Sequence, residues 1–176
     1  MARPKWAVLA AIGAAILVGS GFAAVGGWPS SQAVQPIDFP HDVHAGTNQI
    51  PCMYCHYSAD RSPAAGLPSV QACAGCHMPV AGVPLIQGQN RPEEVEKLFG
   101  YIERQEPIPW ERIHDLPDHV QFTHMMHVNA GVQCAECHGP VETMPEIQQV
   151  ESLQMGWCVN CHIDRGARTD CFVCHY

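Results

Sequence analysis

All ten cysteines of this 176-residue chain fall into five C-x-x-C pairs, and histidine follows each pair directly. The sites are Cys52/Cys55/His56, Cys73/Cys76/His77, Cys134/Cys137/His138, Cys158/Cys161/His162 and Cys171/Cys174/His175, numbered 1 to 5 below. This spacing is the attachment signature of c-type haem. Each thiol adds across a vinyl group, the three-residue offset sets both sulfurs on one side of a helical turn, and the adjacent imidazole becomes the proximal ligand of the iron. No cysteine is left for a disulfide or a nucleophile.

Zinc is the competing reading, because 17 residues separate Cys55 from Cys73 and 20 separate Cys137 from Cys158. Those intervals suit a four-cysteine ribbon. Five pairs, however, cannot be grouped two by two. At the chain's histidine frequency, His after all five pairs would arise by chance about once in a million. Iron–sulfur ligation fits worse, since no third cysteine follows at the close spacing such runs use.

Five haem c groups leave roughly 30 residues each in the part of the chain after Trp28, too few for a conventional core around every one. The porphyrins must themselves be the core. With Pro and Gly at 15 each, the expected body is mainly α with extensive loop and little or no β, its haems packed as in class III cytochromes.

From Trp6 to Trp28 there is no charged residue, a stretch that spans roughly 34 Å as a helix and crosses a bilayer. Arg3 and Lys5 precede it and the next basic residue is Arg61. The positive-inside bias therefore keeps the N-terminus cytoplasmic. The expected organisation is a retained transmembrane anchor over residues 1–28 and a haem domain over 29–176. That domain stands on the periplasmic side of a bacterial cytoplasmic membrane. The apolar run exceeds the usual core of a cleaved signal peptide. Ala11, Ala15, Gly19, Ala23 and Gly27 recur every four residues, a ridge on which a second membrane helix can pack closely.

The body contains an internal repeat. Phe39-Pro-His41-Asp-Val-His44 leads into sites 1 and 2 (39–77), and Phe122-Thr-His124-Met-Met-His127 leads into sites 3 and 4 (122–162). Site 5 stands alone at 171–175. Between the repeats, Asn90 to Glu106 reads as one helix, with Asn90 as N-cap, Pro92 in the first turn and Pro107 as stop. Val95, Leu98, Phe99 and Ile102 share its apolar face.

Eleven histidines less five proximal ones leave His41, His44, His114, His119, His124 and His127. Two imidazoles three residues apart lie on one side of a helical turn and cannot straddle one porphyrin, so each F-x-H-x-x-H unit serves two different haems. That supplies four distal ligands, with His114 or His119 for the fifth. Met155 and Met78 are thioether alternatives at one iron.

These residues resemble a known family. F-P-H-D-V-H-A-G from Phe39, C-M-Y-C-H from Cys52 and G-L-P-S-V-Q-A-C-A-G-C-H from Gly66 are similar to the pentahaem subunit of alternative complex III, a quinol-oxidising assembly, and to related multihaem subunits of menaquinol reductase complexes. So are P-I-P-W-E-R-I-H-D-L-P-D-H-V-Q-F-T-H-M-M-H from Pro107 and L-Q-M-G-W-C-V-N-C-H from Leu153. The family motif W-x-x-x-H-x-L-P-D falls on Trp110, His114, Leu116, Pro117 and Asp118. The resemblance thus implies His114 as the fifth distal ligand and His119 as the spare. It further implies partners: polytopic quinol-binding membrane subunits, an iron–sulfur subunit, and a monohaem cytochrome c or soluble carrier that takes electrons away.

Three functions compete for such a chain. An electron-transfer subunit without catalysis of its own agrees best with the histidine supply, because six-coordinate irons leave no position for substrate. A multihaem reductase needs a vacant face. A stand-alone quinol dehydrogenase needs a quinol pocket that a single span does not offer. The net charge of −8 excludes nucleic-acid binding.

Overall fold

The computed structural model describes residues 33–77 and 92–176. The expected membrane helix, Asn90 and Met78 all lie outside them. Among the described residues no strand is present, and no helix is long and apolar enough to cross a membrane. The elements are α1 (Asp42–Thr47), α2 (Cys52–Cys55), α3 (Val70–His77), α4 (Pro92–Arg104), α5 (His124–Asn129), α6 (Ala135–His138) and α7 (Met155–Asp164), with 3₁₀ turns at Val141–Thr143 and Cys171–Val173. Most are one or two turns long, as a chain punctuated by Pro and Gly dictates.

The two F-x-H-x-x-H segments become α1 and α5, and they differ by one residue. His44 precedes Cys52 by eight positions, whereas His127 precedes Cys134 by seven. The first half absorbs its extra residue by winding α1 as a π-helix, in which Asn48 N–H reaches the Val43 carbonyl five residues back at 2.9 Å. One inserted residue is how such wide turns arise.

The halves dock reciprocally through matching positions. Asp42 N–H donates to the Met144 carbonyl at 3.0 Å, and its counterpart Met125 N–H donates to the Ser62 carbonyl at 3.1 Å. Gly46 of α1 lies against the Glu142 carbonyl, while its counterpart Asn129 of α5 donates through Nδ2 to the Asp60 carbonyl at 3.0 Å. Each ligand helix is therefore seated on the loop behind the other half's first C-x-x-C-H site.

α4 is the longest element among the described residues. It ends where Gln105 turns left-handed (φ 54°), with Gln105 N–H bonded to the Ile102 carbonyl and Glu106 N–H to the Tyr101 carbonyl. This paired closure satisfies two terminal carbonyls before Pro107. Leu98 is buried, and α4 packs on α3, which carries site 2. Asp38 N–H donates to Glu94 Oε2 at 2.8 Å, tying the 35–38 segment to α4. Gln35 clasps Glu111 through both backbone groups at 2.9 and 3.0 Å.

Only Ile37, Ala59, Val70 and Leu98 are buried apolar residues among those described, and no large side chain there is fully enclosed. The described residues belong to one compact unit, 32–176, yet the polypeptide supplies almost no core of its own.

Candidate haem-binding sites

Each C-x-x-C-H site sits on a short helix or turn: α2, α3, the Cys134–His138 turn, α7 and the 3₁₀ turn at Cys171. The helical winding puts both thiols on one side, with the histidine closing the turn. The ten cysteines are free thiols. Among the described residues no group of three or more His, Cys, Asp or Glu side chains is gathered to hold a bare metal ion. That is the opposite of a zinc ribbon, which brings four ligands to one point.

The histidines instead stand in opposed pairs. Ring centres are 6.1 Å apart for His44/His77, 6.3 Å for His124/His138, 6.0 Å for His127/His162 and 5.6 Å for His119/His175. An imidazole nitrogen bonds a transition metal at about 2.0 Å, so two rings on opposite sides of one iron have centres ~6 Å apart. Burial first, then the His56 and His44 imidazoles, push the His41 pKa from 6.5 down to about 4. Every pair joins one C-x-x-C-H histidine to one histidine outside the motifs.

Backbone carbonyls set the ring tautomers. Nδ1–H donates to a carbonyl at His44 (Pro40, 2.8 Å), His56 (Gly66, 2.8 Å), His124 (Pro63, 3.0 Å), His127 (Thr123, 2.8 Å), His162 (Arg168, 2.6 Å) and His175 (His119, 2.9 Å). Each such bond leaves Nε2 as the free lone pair, the state a metal requires, and fixes the ring's direction. Phe39 stacks on His44 at 4.2 Å and meets His41 edge-on at 4.9 Å; Phe122 stands to His127 and His124 at 4.5 and 4.9 Å. The phenylalanine of the repeated motif thus wedges its own two imidazoles apart.

The segment between the repeats threads past several sites. Trp110 lies edge-on to Phe39 at 6.4 Å. His114 is half-buried and edge-on to His138 at 4.4 Å, too close for the two to share an iron from opposite sides, and its Nε2 is buried without a hydrogen-bond partner. Burial, then the nearby His124, lowers its pKa. His119 faces His175, and Gln121 N–H donates to the Cys174 carbonyl at 2.7 Å, which holds this stretch against site 5. Met155 begins α7 and is 69% exposed.

The thiols show which sites adjoin. Burial raises the Cys55 thiol pKa, with Cys76 of site 2 adding to it, and burial raises Cys134, with Cys52 of site 1 adding. Burial likewise raises Cys137 and Cys158, aided by Cys161 of site 4 and Cys174 of site 5 respectively. An open cleft of about 400 Å³, lined by Cys137, Trp157 and Cys161 among others, separates site 3 from site 4, and the Glu136–Arg165 ion pair bridges it.

A flat macrocycle with two thioether arms and two axial nitrogens is the group these features fit: spaced imidazoles, paired thiols, and a core the chain leaves to something else. Comparison with known proteins agrees. Residues 120–176, which hold sites 3 to 5, match the family described as cytochrome c7 and related cytochrome c. The chain is similar to multihaem cytochromes c. It is 28% identical, over 173 aligned residues, to "Menaquinone reductase, multiheme cytochrome c subunit" of Nitratidesulfovibrio vulgaris strain Hildenborough, an alignment covering 82% of this chain and 78% of that protein. The carbonyl acceptors and the cross-repeat docking were not foreseen from sequence. Their one visible signal was a proline seven residues after the histidine of sites 1 and 3, Pro63 and Pro145.

Proposed function

We propose that this chain holds five c-type haems and relays electrons from a quinol-oxidising membrane complex of the alternative complex III or menaquinol reductase kind to a monohaem cytochrome c or soluble carrier. The single observation that carries the reading is the set of four imidazole pairs with ring centres 5.6 to 6.3 Å apart, each pair including one C-x-x-C-H histidine. The axial pairs are His41/His56, His44/His77, His124/His138, His127/His162 and His119/His175. The fifth distal ligand in this reading is His119, which faces His175, and not His114.

Bound haem c supplies reversible one-electron exchange at its iron. The ten cysteines would attach it and the paired histidines would hold each iron from both sides, leaving no room for substrate. Thiol neighbours support a linear order of sites, 2–1–3–4–5, with sites 2 and 5 as the ends. The 6–28 stretch anchors the domain on the periplasmic face beside the polytopic and iron–sulfur subunits.

Purification of the full chain in mild detergent, with identification of co-purifying subunits and intact-mass measurement, tests the proposal. The expected result is five haems, a purely low-spin ferric spectrum and polytopic partners. A high-spin resting signal that binds cyanide without denaturation would overturn it in favour of a reductase. Menaquinol reducing the isolated chain at a catalytic rate would make it a dehydrogenase in its own right.

A further inference from the structure

The loop behind site 1, residues 58–66, touches axial histidines of two sites. Its Gly66 carbonyl accepts the His56 Nδ1–H bond at 2.8 Å. Its Pro63 carbonyl accepts two bonds from His124, the backbone N–H at 2.9 Å and Nδ1–H at 3.0 Å. His56 belongs to site 1 and His124 faces His138 of site 3, in the other half of the repeat.

The loop is built to hold those two carbonyls still. Ser58 Oγ–H is within bonding distance of the Ala65 carbonyl at 2.6 Å and the Ala64 carbonyl at 3.2 Å, between the two functional acceptors. The Ser62 and Arg61 N–H groups both return to the Ser58 carbonyl, at 2.8 and 3.1 Å. Ala59 is buried. Gly66 takes φ +78°, and a Cβ there would come within 2.6 Å of Ser58 Oγ, so glycine is what lets the clamp close. At the far end Asn129 Nδ2–H grips the Asp60 carbonyl.

The repeat supplies an internal control. The position matching Ser58 is Pro140, which has no hydroxyl, and the helix position matching Asn129 is Gly46. His41, the counterpart of His124, has its Nδ1 buried without a hydrogen-bond partner. The arrangement is therefore particular to the 58–66 loop and not a by-product of the repeat. The two rings of site 3 lie 6° from parallel, whereas those of the pairs His44/His77 and His127/His162 are tilted by 47° and 43°.

We propose that loop 58–66 is an outer shell shared by sites 1 and 3, with Ser58 and Asn129 as positioning residues that fix the imidazoles of His56 and His124. The inference rests on the axial pairing proposed above. A carbonyl accepting from Nδ1–H makes the imidazole a stronger donor to its metal. One loop thus tunes both sites, and any displacement of it is felt at both.

The test uses the full, haem-loaded chain carrying Ser58→Ala, Ser58→Thr or Asn129→Ala, with exposed Ser152→Ala as control. The angle between axial imidazole planes governs the g-anisotropy of low-spin ferric haem, so paramagnetic resonance reads the positioning directly. The site 3 signal is assigned as the one His124→Ala converts to high spin. Ser58→Ala is expected to shift the site 3 signal to larger anisotropy and to move the midpoint potentials of sites 1 and 3 together. Ser58→Thr retains both at their wild-type values, Asn129→Ala moves sites 1 and 3 together, and Ser152→Ala alters neither. If Ser58→Ala fails to load haem, Asn129→Ala carries the test. Unchanged site 3 spectra in Ser58→Ala and Asn129→Ala, in a protein with five low-spin haems, would sink the shared-shell inference while leaving the relay intact. Fewer than five haems, or a wild-type high-spin signal, would overturn the underlying pairing.

Discussion

His114 and His119 are five residues apart and both lie outside the repeated motif, yet their surroundings differ. His119 faces His175 with rings 20° from parallel, and its own carbonyl accepts the His175 Nδ1–H bond. His114 meets His138 edge-on. His119→Ala is accordingly expected to turn one low-spin haem high-spin and cyanide-reactive, while His114→Ala leaves all five low-spin; optical and resonance spectra of the ferric protein decide. The opposite result would restore the assignment that the W-x-x-x-H-x-L-P-D resemblance implies. The C-x-x-C-H histidines were legible in the sequence because the chemistry that uses them is local, with thiols and imidazole within one turn. Which histidines meet was not legible, since His119 and His175 are 56 positions apart and composition carries no information about contacts at that range.

At the scale of elements, α1 and α5 follow directly from F-x-H-x-x-H, and in α5 the two histidines meet different partners: His124 meets His138 and His127 meets His162. The π winding of α1 was readable in principle from the spacing of eight against seven. α4 was expected over 90–106 and is seen over 92–104 within the described residues, because Gln105 turns left-handed two residues before the proline. Its apolar face is only partly covered: Leu98 is buried, but Val95, Phe99 and Ile102 are half-exposed. Leu98→Ala removes one of the few buried aliphatic side chains, at the packing of α4 on α3. It is expected to cost about 2–3 kcal/mol, toward the low end for buried leucine because the site is near the surface. Denaturant unfolding of the haem-loaded protein measures this. Haem content stays at the wild-type value, since Leu98 carries no ligand.

At the scale of the molecule, the four buried apolar residues among those described cannot hold a fold together. Each ordered residue costs about 1 kcal/mol or more in backbone entropy, and each buried aliphatic side chain returns roughly 1.5–3 kcal/mol. The deficit is met by what the thiols and imidazoles bind. Apolar groups left at the surface, such as Tyr54, Met126 and Phe172, are the faces such cofactors would cover. The chain without its haems is therefore expected to lack a cooperative fold. Expressed without haem attachment, it should show a far-ultraviolet dichroism spectrum dominated by disorder and no thermal transition. A sharp transition in that form would mean the polypeptide has a core of its own. The sites are not equivalent in this respect. Site 1 underlies the loop that seats α5, whose His124 and His127 face the histidines of sites 3 and 4, whereas site 5 receives one segment at the chain's end. Cys52→Ala with Cys55→Ala should then depress haem attachment at sites 3 and 4 as well as at site 1. Cys171→Ala with Cys174→Ala should remove one haem and leave four, a difference that intact-mass spectra of the two variants resolve directly.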